Sequence, residues 1–132
     1  MGKLSVSPFA CVLAAMCVLM LPLRWLVAAF LAAAFHELCH ILAVILCGGR
    51  VQSLKIGGRG AVISAGRMST AKNIYCILSG PMGSLLLLLF APWIPRIAIC
   101  GLFQGLFNLL PIYPLDGGRA LRCILYGLKN RP

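Results

Sequence analysis

The sequence predicts an all-α polytopic membrane protein with about four transmembrane helices, a short β-hairpin-like loop and a fourth helix broken by proline. Three observations predict it. Hydrophobic residues make up 61% of the 132 positions and charged residues 11%, against roughly 45–50% and about 25% in an ordinary soluble domain. So few charges cannot cover a water-facing surface, and disorder needs the opposite composition. The apolar residues fall into long runs, and the 12 Lys and Arg, set against 2 Asp and Glu, flank those runs. In a soluble chain a net charge of +10 would suggest nucleic acid. Here membrane orientation explains it, because no basic stripe interleaved with aromatics is present; no nucleic-acid partner is expected.

The whole chain, 1–132, reads as one membrane-embedded domain in a lipid bilayer. The first apolar run covers 5–23. It is read as a retained span and not as a leader, because a second run follows almost at once with no Ala-x-Ala-like cleavage site between. The second run covers 26–47 and the third 74–91. Each of these three is long enough, at 1.5 Å per residue, to cross or nearly cross a hydrocarbon core of about 30 Å. The fourth, 97–110, rises only about 21 Å before Pro111 and Pro114. Between the second and third runs lies a polar stretch, 48–73. Val51, Leu54, Ile56, then Gly57-Gly58-Arg59-Gly60, then Ala61 and Ile63 suggest two short strands around a turn; an unstructured loop is the alternative. Lys3, the bases of 50–72, Arg119, Arg122, Lys129 and Arg131 fall on one side of this arrangement, and Arg24 and Arg96 on the other. Both termini and the long loop are therefore expected to be cytoplasmic in a multi-pass protein of the cell membrane.

The seven cysteines form no Cys-x-x-Cys pair and mostly sit in apolar runs, where a free thiol behaves as a small hydrophobe. A disulfide framework is not expected.

The second run contains His36-Glu37-Leu38-Cys39-His40. On a helix, residues four apart share a face one turn apart. Two imidazoles so placed can bind one Zn²⁺, with Glu37 beside them as the general base toward water. Ala29, Ala32, Ala33, Cys39, Ala43 and Cys47 lie within about 60° of His36 around the helix. This small-residue face suits either tight helix packing or a cleared cavity. The chain holds only 2 His and 2 acidic residues, and both His and the one Glu are in this motif. A carboxylate at mid-membrane costs about 2.5–3.5 kcal/mol on insertion scales, so its presence there points to function.

A catalytic zinc site takes three protein ligands and keeps a position for water. With no third His and no second Glu, Asp116 is the remaining carboxylate. Cys39 is the competing ligand. The fourth run, entering from the far side, stops about 9 Å short of the cytoplasmic boundary. Residues 108–118 are therefore expected as irregular backbone inside the membrane, tolerated only where protein or a wet cavity satisfies it. That depth matches the histidines. Gly117 and Gly118 permit a close backbone approach or a sharp turn.

His36-Glu37-Leu38-Cys39-His40, together with Asn108-Leu-Leu-Pro-Ile-Tyr-Pro-Leu-Asp116-Gly117-Gly118-Arg119, resembles the site-2 protease family of intramembrane zinc metalloproteases. Ser79-Gly80-Pro81 is similar to that family's Gly-Pro element, and the compact form resembles its stage IV sporulation protease branch. The resemblance implies one catalytic Zn²⁺ held by His36, His40 and Asp116, water activated by Glu37, and substrate contact by Asn108, whose alternative is a helix-end hydrogen bond. It implies an endopeptidase acting on membrane-spanning or membrane-associated regulatory proteins, and it is compatible with a regulatory membrane partner. Met82-Gly83-Ser84 stands where family members often carry an Asn, and no PDZ-like insertion fits between the spans. The strand edge within 51–65 is a candidate for holding an unwound substrate extended. The competing reading is a non-proteolytic zinc-binding or zinc-transport protein, which would call for further polar residues along the spans.

Overall fold

The computed structural model describes Met16 and residues 20–49, 51–57, 60–65 and 69–129. The expected first span, 5–23, lies almost wholly outside the described residues.

The first described helix, α1, runs Leu23–Leu46. It starts after Pro22, whose carbonyl accepts from Trp25 N at 2.9 Å and Leu26 N at 3.2 Å. It ends because Gly48 takes φ +76°, a left-handed conformation that side chains with a Cβ disfavour. Gly48 N then donates to Ile45 O and Gly49 N to Val44 O, which satisfies the last carbonyls. Two antiparallel strands follow, β1 (Val51–Gly57) and β2 (Gly60–Ala65). They pair from Gly57↔Gly60 through Leu54↔Ile63 to Val51↔Ala65, with an irregularity between Val51 and Ser53. Both strands touch α1.

Helix α2 runs Thr70–Leu86 behind an N-cap, Ser69, whose hydroxyl accepts from Lys72 N at 3.4 Å. It continues as a 3₁₀ turn over Leu87–Phe90. Helix α3, Pro95–Asn108, opens on a proline that needs no N–H partner at that position. Helix α4 runs Asp116–Lys129. α1 packs on α2 and α3, α2 packs on α3 and α4, and the site described below sits where these contacts meet.

Two of these stretches, Leu23–Leu46 and Thr70–Phe90, are long and apolar enough to cross a membrane. The packing is inverted relative to a water-soluble core. Apart from Val44 and Leu87, the buried positions are mostly small or polar, among them Ala28, Ala32, Ala43, Ala98, Ala120, Ser84, His36, His40 and Asp116. Large apolar side chains such as Phe30, Leu42, Leu46, Leu89 and Phe103 point outward. An outward apolar surface this extensive is stable only against an apolar surrounding.

Two expectations are corrected. Irregular backbone covers only residues 109–115, not 108–118, and the chain re-enters a helix at Asp116. Of the two roles expected for Gly117 and Gly118, the close backbone approach holds and the sharp turn does not. Both lie inside α4, where a Cβ on Gly117 would overlap the Leu109 carbonyl and one on Gly118 would meet the Ile112 carbonyl. They let the first turn of α4 lie directly on the backbone of the preceding loop. The α1 and α2 boundaries also begin earlier than the apolar runs, at Leu23 and Thr70, because capping geometry and not hydropathy sets where a helix starts.

Candidate metal centre

His36 and His40 stand one turn apart on the buried stripe of α1. Asp116 opens α4 and reaches the same point from 80 and 76 residues further along the chain. Asp116 Oδ2 lies 3.1 Å from His36 Nε2 and 3.1 Å from His40 Nε2, and the two Nε2 atoms are 3.2 Å apart. The rings meet edge to face, with centroids 4.8 Å apart. Exposure is 2% for His36, 6% for His40 and 6% for Asp116, so water does not separate these groups.

The supporting contacts hold the outer nitrogen of each ring. His40 Nδ1 is 2.8 Å from the carbonyl oxygen of Cys76. A carbonyl only accepts, so Nδ1–H donates, and in the neutral ring Nε2 then keeps its lone pair. His36 Nδ1 lies 2.8 Å from Ser84 Oγ. Arg119 Nη1 is 3.3 Å from Asp116 Oδ1, leaving Oδ2 to the histidines. The Cys76 carbonyl has a second neighbour, Ser79 Oγ at 2.8 Å, whose single proton is shared between it and Cys39 O at 3.1 Å.

Two ring nitrogens and a carboxylate oxygen facing one another at 3.1–3.2 Å call for a proton or a metal cation among them. Tetrahedral zinc with ligands at 2.0–2.1 Å sets its donors about 3.3 Å apart, so the triangle has the size a zinc ion requires. Gly80 supplies the space. A Cβ there would overlap His40 Nε2 and Cε1 and stand 2.8 Å from His36 Nε2. Two imidazoles, one carboxylate and a side kept clear of side chain are the donor set of a catalytic zinc site.

The remaining expected residues fall around this group. Glu37 follows His36 on α1 and is half-buried. Cys39 is not part of the group that could hold a metal ion. Its Sγ packs on α2 against Gly83, where a Cβ would overlap it. Asn108 ends α3, and its Nδ2 donates to Gln104 O at 3.0 Å, the helix-end bond named as its alternative. Of the small-residue face, Ala32 and Ala43 are buried, and Ala29, Ala33, Cys39 and Cys47 are half-buried. Sequence reasoning did not single out Ser84, the Cys76 carbonyl or Arg119 as supports. The one available signal was the run of small residues four apart on α2, Cys76, Gly80 and Ser84, all buried.

Comparison with known proteins places the chain in a family. A profile of the Peptidase M50B-like family matches residues 9–126. The chain is 34% identical over 110 residues to Rip3 of Mycobacterium tuberculosis, covering 69% of this chain and 28% of that protein. It is 29% identical over 135 residues to stage IV sporulation protein FB of Bacillus subtilis, covering 90% of this chain and 46% of that protein. The fold is similar to that of the site-2 protease from Methanocaldococcus jannaschii, with a TM-score of 0.70 and 22% identity over 89% of this chain and 62% of that one. The chain thus spans less than half the length of these curated relatives.

Proposed function

The chain belongs to the Peptidase M50B-like family, and from that premise we propose that it is a site-2 protease-like intramembrane zinc endopeptidase. The observation that carries the reading is the convergence of His36 Nε2, His40 Nε2 and Asp116 Oδ2 within 3.1–3.2 Å of one another, buried between helices. In this reading the three residues hold one Zn²⁺. When bound, zinc polarises a scissile carbonyl and lowers the pKa of an attacking water toward about 7. Glu37 takes the proton from that water and passes it to the leaving amine. Gly80 keeps side-chain atoms out of the space next to the donors. Asn108 contributes to holding the substrate with whatever capacity its amide retains beyond the Gln104 bond.

Four spans, at 5–23, 26–47, 74–91 and 97–110, with both termini and the 48–73 loop cytoplasmic, are the topology that goes with this function. The inverted packing supports it. The substrates are regulatory proteins that span or lie on the membrane. A peptide bond inside a helix is shielded, so the substrate unwinds, and the free edge of the β1–β2 pair offers a place to hold it extended. The similarity to a sporulation protein favours a role of that kind.

The test is quantitative proteomics of fragments released from membranes, comparing wild type with Glu37→Gln. A protease keeps zinc and loses its fragments in the variant. A zinc-binding or zinc-transport protein shows the same fragment set in both, and that result would overturn the proposal.

A further inference from the structure

We propose that Ser84 is a positioning residue that fixes the His36 ring with Nε2, and not Nδ1, turned toward Asp116 and His40; this rests on the metal-site reading above. A neutral imidazole has one nitrogen that donates and one that accepts. Whichever nitrogen offers its lone pair to a cation, the other carries a proton and requires an acceptor. For His36, Nε2 is 3.1 Å from Asp116 Oδ2 and 3.2 Å from His40 Nε2, and Nδ1 is 2.8 Å from Ser84 Oγ. Ser84 is 0% exposed and His36 2% exposed, so no bulk water replaces the hydroxyl if the ring turns over. A ring flip would set carbon against Ser84 Oγ and leave a buried N–H to find another partner, a cost the native orientation avoids.

The two histidines are therefore oriented by different means. His40 leans on the Cys76 carbonyl, a backbone group that substitution does not remove. His36 leans on a side chain. Ser84 in turn is held by α3, which approaches closely because two of its residues lack a Cβ. One placed on Gly105 would stand 3.2 Å from Ser84 Cβ, and one on Gly101 would stand 2.9 Å from Ser84 O. Helix α3 offers no ligand of its own. Its glycine pair, four residues apart, fixes the segment of α2 that orients one.

The chain has only 2 His, so a ¹⁵N-histidine spectrum of the purified chain in detergent contains two imidazoles. In the zinc-loaded wild type, both rings are expected to be protonated at Nδ1 and metallated at Nε2. Zinc on Nδ1 of His36 would overturn the assignment. In chelator competition, Ser84→Ala is expected to bind one zinc with 10–100-fold lower affinity. His36 should then show a mixture of tautomers, while His40 keeps its shifts. Equal affinity and an unchanged His36 tautomer would sink the proposal. If Ser84→Ala does not fold, the wild-type tautomer decides alone. If the wild type binds no zinc, the metal-site reading fails, and the metal-free chain still decides the role of Ser84: a change in the His36 ring ¹⁵N shifts on Ser84→Ala, with those of His40 unchanged, supports it, and unchanged His36 shifts overturn it.

Discussion

Arg119 grips Asp116 from the side away from the histidines: Nη1 lies 3.3 Å from Oδ1, while Oδ2 faces both Nε2 atoms at 3.1 Å. The two residues are three apart on α4 and so share one turn of the helix. Arg119→Gln is expected to weaken zinc binding about 10-fold, at the lower end for a residue that orients a ligand, because the guanidinium is 24% exposed and partly screened. Chelator competition on the purified variant checks this. No change would mean that the α4 backbone alone sets the carboxylate.

Removing the carboxylate itself has a larger effect. Supporting residues cost 10–100-fold in metal affinity, so Asp116→Ala, which removes a ligand, is expected to cost more than 100-fold. Metal content per purified chain should fall well below one zinc. Retention of one zinc at near wild-type affinity would return Cys39 or another donor to consideration.

Gly80→Ala adds one carbon where the imidazole nitrogens stand. The added methyl meets ring atoms fixed at both ends, His40 by the Cys76 carbonyl and His36 by Ser84. Overpacking of this kind costs about 1–3 kcal/mol when the surroundings yield. Here yielding means moving the donors, so loss of stoichiometric zinc with helix content intact by circular dichroism is the expected result.

Gly117→Ala and Gly118→Ala set a new carbon against the carbonyl backbone of Leu109 and Ile112. Backbone cannot rotate aside as a long side chain can. Each variant is expected to be destabilised by about 1–3 kcal/mol, read as a lowered melting temperature in detergent. An unchanged melt would show that the loop over 109–113 shifts at little cost.

Chelation should remove zinc without unfolding the helices. The donors are held by Ser84, the Cys76 carbonyl and Arg119 rather than by the ion alone. Stripped protein is expected to keep its helical spectrum and to recover zinc binding and cleavage when zinc returns. Gross loss of helix on chelation would show instead that the ion holds the fold.

How much of this was legible in the sequence depends on what each feature rests upon. The pairing of His36 with His40 is a property of one helix, so their spacing alone puts them on one face. Asp116 is 76 residues from His40 and was reached only because the chain has so few acidic groups that elimination leaves one. Ser84 escaped that logic, and Gly80 was reached only through the resemblance of Ser79-Gly80-Pro81 to a Gly-Pro element. They are uncharged, they lie on a second helix, and their role depends on the register of α2 against α1, which no local spacing encodes. Helix α4 was missed for a related reason. Paired glycines ordinarily signal a break, and here the backbone of 109–113 occupies the space their side chains would fill.

The inward stripe of Ala, Gly and Ser also sets where this chain can evolve. Positions that look outward, such as Phe30, Leu42 and Phe103, ask only for an oily side chain of almost any shape. Positions that look inward, such as Ala32, Gly80 and Ser84, hold some of the smallest residues there are. A saturation library would show bulky residues accepted on the periphery and rejected at the centre, the reverse of the pattern in a water-soluble enzyme.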